Sequence, residues 1–172
     1  MTHLEDVTMN TIDFPMLKEE DISVRIAQFK DGKGAQLLLY KDARVDINIL
    51  NSTVGIENWQ KKFYRCGDSL FCSVGILFDN GWVWKDDCGS ESNVEKEKGE
   101  ASDSFKRACV NWGIGIELYT SPFIWVPADK LKSKYDKFSV EKIAYDGQEI
   151  SGLTVFNETT KQRVFAWKRA EK

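Results

Sequence analysis

The chain has 172 residues, a formal net charge of −3, 42% hydrophobic residues and 12% aromatics. That length allows one core, or a core with a small annex, and the apolar share excludes a disordered chain. No apolar run approaches the length of a membrane span and the N-terminus shows no signal-peptide hydrophobic region, so a cytoplasmic location is expected.

Cys66, Cys72, Cys88 and Cys109 form no CxxC pair, and His3 is the only histidine. No zinc site is expected, and the cysteines read as reduced packing or surface thiols. The net acidity argues mildly against a nucleic-acid partner. The charge is uneven, however: residues 1–120 hold 14 Lys and Arg against 20 Asp and Glu, and residues 121–172 hold 10 against 7. Cations gathered in one groove can hold phosphate on a net-acidic protein.

In chain order, residues 1–13 read as a flexible tail, and Phe14-Pro15 opens a short helical or irregular piece. Ser23 to Lys30 alternates as a strand, Asp31-Gly32-Lys33-Gly34 is a turn, and Ala35 to Tyr40 returns as the second arm of a hairpin. Asp42 caps a predicted helix from Ala43 to Ser52, with Val45, Ile49 and Leu50 inward. Trp59 to Arg65, Leu70 to Phe78 and Trp82 to Asp87 are three further strands, the last two joined by Asn80-Gly81, a preferred type I′ pair.

A long amphipathic helix follows. Ser92 and Glu95 form a predicted capping box, and Gly113 is placed for a left-handed C-terminal cap. Val94, Ala101, Phe105, Ala108, Cys109 and Trp112 share one stripe at about 100° per residue, and Lys96, Asp103, Lys106, Arg107 and Val110 lie opposite. Beyond it, Leu118 to Val126 reads as extended and residues 129–137 as a basic loop or short helix. Phe138 to Tyr145, Gln148 to Asn157 and Arg163 to Lys168 read as a β-meander. The expected fold is therefore α+β: an antiparallel β-β-β-α core with a long amphipathic helix packed on the sheet, plus a small C-terminal β-meander.

No Ser/His/Asp or Cys/His set and no phosphate-binding loop can be assembled, so no enzyme activity and no cofactor are expected. Asp86-Asp87 and Asp42 with Asp46 have magnesium-compatible chemistry, but they read first as solvated carboxylates. From spacing alone Lys106-Arg107 is a solvated helix face, with Asp103 and Arg107 as an i,i+4 pair worth about 0.3–0.5 kcal/mol. The functional reading of the same pair is two phosphate contacts, which supply affinity without reading bases. The six tryptophans read as core or subunit contacts, and none is assigned to DNA.

Glu-Ala-Ser-Asp-Ser-Phe-Lys-Arg-Ala (100–108) and Asn-Trp-Gly-Ile-Gly-Ile-Glu-Leu-Tyr (111–119) resemble the Rad-fifty-two-type single-strand annealing proteins, nearest their phage and bacterial, DdrA-like branch. The resemblance covers roughly residues 14–126 and leaves 127–172 unmatched as a C-terminal β annex. It implies a homo-oligomeric ring with single-stranded DNA in a positively charged groove around its rim. Ser102-Asp103 and Lys106-Arg107 match the family's groove-lining helix. Arg44-Val45, Gly55 and Trp59 match its upstream helix, which makes Arg44 a groove residue. The implied DNA-binding set is Arg44, Lys96, Lys106 and Arg107. Val110 and Ile116 stand where family members often carry basic residues.

The implied function is ATP-independent single-stranded DNA binding and annealing in phage or prophage recombination and repair. In the family, C-terminal regions bind a recombinase or a single-stranded DNA-binding protein. Two other classes fit the residues: an end-protection module that does not anneal, and a structural oligomer that does not bind DNA.

Overall fold

The computed structural model describes residues 11–89 and 96–170. The capping box at Ser92 and Glu95 and the stripe residue Val94 lie outside the described residues. Strands β1 (Ile22–Lys30) and β2 (Gly34–Lys41) form the N-terminal hairpin, followed by helix α1 (Ala43–Thr53). Strands β3 (Trp59–Cys66), β4 (Ser69–Phe78) and β5 (Gly81–Cys88) come next, and then helix α2 (Lys96–Asn111). Strand β6 (Ile124–Pro127) precedes the meander β7 (Phe138–Asp146), β8 (Glu149–Asn157) and β9 (Gln162–Lys168).

These strands form two sheets. The smaller has the order β3-β4-β5, and α2 lies on its β4 and β5 strands. The larger has six strands in the order β6-β2-β1-β7-β8-β9, and β6 approaches β9 so that the sheet nearly closes on itself. The expectation of an α+β fold built on one long amphipathic helix is thereby overturned. The described chain is mostly β, and its largest unit is this barrel-like sheet. The strands expected as a separate meander continue the N-terminal hairpin: Ser23 pairs with Ser139 and Val24 with Phe138. That pairing joins segments more than a hundred residues apart, and no local propensity signals it.

Alternation fills the six-stranded sheet, with Val24, Leu37, Ile124, Val126, Leu153 and Val155 buried. Residues 118–126, expected as extended throughout, begin instead as a 3-10 turn over Ile116–Thr120. The Thr120 hydroxyl donates to the Glu117 carbonyl and accepts from the Ile150 amide, tying that turn to β8. Buried Glu117 accepts from the Leu17 amide at 2.8 Å, which draws the N-terminal segment over one end of the sheet. Among the described residues no helix is long and apolar enough to cross a membrane.

Candidate nucleic-acid interface

Helix α2 buries Phe105, Ala108 and Cys109 and leaves Lys106 and Arg107 on its other side. Trp59 stacks on Phe105 with ring centroids 6.2 Å apart, and the Lys61 ammonium sits 4.2 Å from the Phe105 ring centre. Trp112 is only half-buried, and its indole N–H donates to the Val74 carbonyl at 3.0 Å.

The helix ends in a Schellman motif. Gly113 takes φ +97°, its amide donates to Val110 O at 2.8 Å, and the Ile114 amide donates to Cys109 O at 3.1 Å. Gly115 is also left-handed, at φ +75°, and the Lys41 stem runs beside it. The two turns lead into the 3-10 turn Ile116–Thr120, which lies against β8 and places Leu118 and Tyr119 on the same cleft as Tyr40.

A cleft of about 530 Å³ results between α2 and the outer face of the β1–β2 hairpin. Besides the buried Lys41, its cations are Arg25, Lys106 and Arg107; Asp103 is an acid on the same wall, and Tyr40, Tyr119 and Val110 supply apolar surface. Arg107, 44% exposed, reaches Asp87 at 3.4 Å through Nε. A guanidinium has five N–H donors, so this contact leaves most of the fork for another acceptor. Tyr119 is 70% exposed at the cleft.

Beneath the cleft the Lys41 ammonium is buried against Asp46 and also donates to the Lys106 carbonyl at 3.4 Å. Burial pushes the Asp46 carboxyl up to about 6, against the opposing pull of the Lys41 ammonium. The Cys109 thiol shares this pocket, and burial raises its pKa. Asp46 belongs to the floor of the site rather than to a solvated face, and it shares the buried side of α1 with Ile49 and Leu50 at i, i+3, i+4 spacing.

The four sequence-predicted residues are placed differently. Lys106 and Arg107 line the cleft together. Arg44 is 84% exposed in the first turn of α1, where its Nε donates to Asp42 Oδ1 at 2.8 Å. The hydrogen bond from Arg44 holds Asp42 below the usual carboxylate range, and the Lys106 charge adds to that. Arg44 is thus engaged with Asp42 and does not line the cleft. Lys96 opens α2 by its backbone, and its side chain lies outside the described residues. Val110 lines the cleft, and Ile116 is exposed on the 3-10 turn.

Sequence reasoning misses Arg25, Tyr40 and Tyr119. Arg25 alternates with buried Ile22 and Val24, so its outward direction is legible in the sequence; that the outward face meets α2 is not. The carboxylates with magnesium-compatible chemistry are already engaged: Asp86 accepts from Tyr64 and Ser73, Asp87 pairs with Arg107, Asp42 caps α1 and Asp46 holds Lys41. Among the described residues no group of three or more His, Cys, Asp or Glu side chains is placed to hold a metal ion. The chain matches no family model, no curated protein and no solved structure.

Proposed function

We propose that the chain binds single-stranded DNA in the cleft between α2 and the β1–β2 hairpin and anneals complementary strands without hydrolysing nucleotide. The observation that carries this reading is the convergence of Arg25, Lys106 and Arg107 from two separate elements on one open cleft. Three cations around one cleft suit a phosphodiester chain, whose charges recur along the strand. The exposed rings of Tyr40 and Tyr119 offer stacking surface, which any base can use and which a closed duplex cannot reach. Arg44 adds charge at the approach to the cleft. Phosphate contacts hold the strand extended and leave base edges free to find a complement. A homo-oligomeric ring repeats the cleft, so that weak contacts in each subunit sum to avidity. The setting is recombination or repair, as the resemblance of residues 100–119 implies.

The test is an oligonucleotide titration across several salt concentrations, paired with an annealing assay and light scattering. Lys106→Ala with Arg107→Ala is expected to weaken binding for all sequences alike. It should also flatten the slope of log affinity against log salt by about 1.4 for each subunit engaged, at about 0.7 per phosphate contact on single strands. Unchanged affinity and slope in a folded double variant would mean a solvated helix face. Binding without annealing would identify an end-protection module.

A further inference from the structure

A second cleft, of about 560 Å³, opens where β1 parts from β7. Those strands pair only at Ser23–Ser139 and Val24–Phe138. Beyond Val24 the chain that faces β1 is the loop 131–137, which carries Lys134 and Lys137 into the second cleft. Arg25 and Tyr40 line both clefts, so the two are one continuous surface with Arg25 at the junction. Arg25 and Lys137 make no ion pair among the described residues, and the Lys134 ammonium rests 5.2 Å from the Tyr135 ring centre.

The loop is held in shape rather than loose. Asp136 is buried, and its carboxylate accepts from the Lys132 amide at 2.8 Å, the Ser133 amide at 3.0 Å and the Asn157 side-chain amide at 2.8 Å. The Lys137 amide donates to the Thr159 hydroxyl at 3.0 Å, anchoring the loop to the turn after β8. Lys134 and Lys137 are thus exposed side chains on an ordered backbone, which lowers the entropic cost of using them.

Three acids also line this cleft: Glu19, Glu20 and Asp136. Asp136 is committed to the loop. Glu19 accepts from the Ile143 amide at 3.2 Å. These hydrogen bonds hold Glu19 and Asp136 below the usual carboxylate range, so both keep their charge and oppose an anion together with Glu20, which is the exposed one of the three.

Resting on the single-strand reading above, we propose that the bound strand does not end at the first cleft. It passes over Arg25 and Tyr40 into the second cleft, where Lys134 and Lys137 hold its next phosphates. Residues 127–172 then form part of the nucleic-acid site rather than a passive annex. Arg25 is the hinge of the path, since it alone supplies charge to both clefts.

The test compares four proteins in oligonucleotide titrations over a range of salt: wild type, Lys106→Ala/Arg107→Ala, Lys134→Ala/Lys137→Ala, and Lys62→Ala/Lys161→Ala. The last pair removes the same charge from residues that line neither cleft. Expected is weaker binding by the Lys134/Lys137 variant, with the salt slope flattened by about 1.4 per engaged subunit. The Lys62/Lys161 control should change affinity less than twofold. Glu20→Gln should tighten binding, a gain that misfolding cannot mimic. If wild type binds and Lys106/Arg107 matters while Lys134/Lys137 behaves like the control, the path ends at the first cleft and this inference alone is overturned. If wild type does not bind, the functional reading falls and takes the path with it.

Discussion

The Lys41 ammonium and the Asp46 carboxylate form an ion pair sealed from solvent, with side chains 4% and 0% exposed, directly beneath Lys106. Strand β2, helix α1 and helix α2 meet at this pair. Its role is positional: it joins the hairpin that carries Arg25 to the helix that carries Lys106 and Arg107. Removing one partner of a buried pair leaves a charge without compensation. Lys41→Met should therefore cost about 3–5 kcal/mol at neutral pH in a urea titration. A loss below about 1 kcal/mol would mean that water reaches Asp46 after all.

The same carboxylate gives a signed pH dependence. Its folded pKa, about 6, lies above the ordinary aspartate value of about 3.9. Between those values the folded chain holds a proton that the unfolded chain has released. This group's contribution to stability is thus largest below the lower value and declines as pH rises toward the upper one. The decline is at most about 1.4 kcal/mol per pH unit. Denaturation of wild type and Asp46→Asn from pH 4.5 to 7 should show wild type losing ground to the variant as pH rises. A difference that stays level or grows would refute the assignment.

Gly115→Ala should be costly for two reasons. The left-handed backbone costs a non-glycine residue about 1–2 kcal/mol. A Cβ there would also lie 2.5 Å from Lys41 Cε, on a side chain that its ion pair holds in place. Gly113→Ala meets open space and carries the backbone cost alone. Thermal melts should rank Gly115→Ala as the more damaging; the reverse order would mean that Lys41 yields freely.

Phe105 and Trp112 lie on one stripe of α2 but are buried to different degrees. Phe105 is 1% exposed and packs against Trp59, whereas Trp112 is half-buried with Lys85 over its ring at 4.5 Å. Phe105→Ala should cost about 3–5 kcal/mol, the range for a fully buried aromatic, and Trp112→Ala less. Equal losses would show that the indole hydrogen bond to Val74 offsets the smaller burial of Trp112.

Arg25→Ala should weaken oligonucleotide binding more than Arg44→Ala. Arg25 lines both clefts without an ion-pair partner among the described residues, while the Arg44 guanidinium is already bound to Asp42. Every phosphate left without its cation flattens the salt slope by about 0.7. A larger effect from Arg44 would move the path toward α1.

Local chemistry in the sequence determined most of the secondary structure around the site. Asp42 caps α1 through the Arg44 amide, and Asn80-Gly81 lies at the β4–β5 turn. Gly113 closes α2, and the period of α2 separates Phe105 from Lys106 and Arg107. Each rests on neighbours within about four residues, where capping, turn preference and periodicity act. The tertiary structure alone decided the rest. Val24 pairs with Phe138, Lys41 is buried against Asp46 under α2, and Arg25 faces Lys106 and Arg107 across a cleft. Most of these relationships join residues far apart in the chain, and a strand's hydrogen-bonding edge does not record in its own sequence which strand will take it. The six-stranded sheet, and with it the second wall of the site, becomes visible only when those edges are paired.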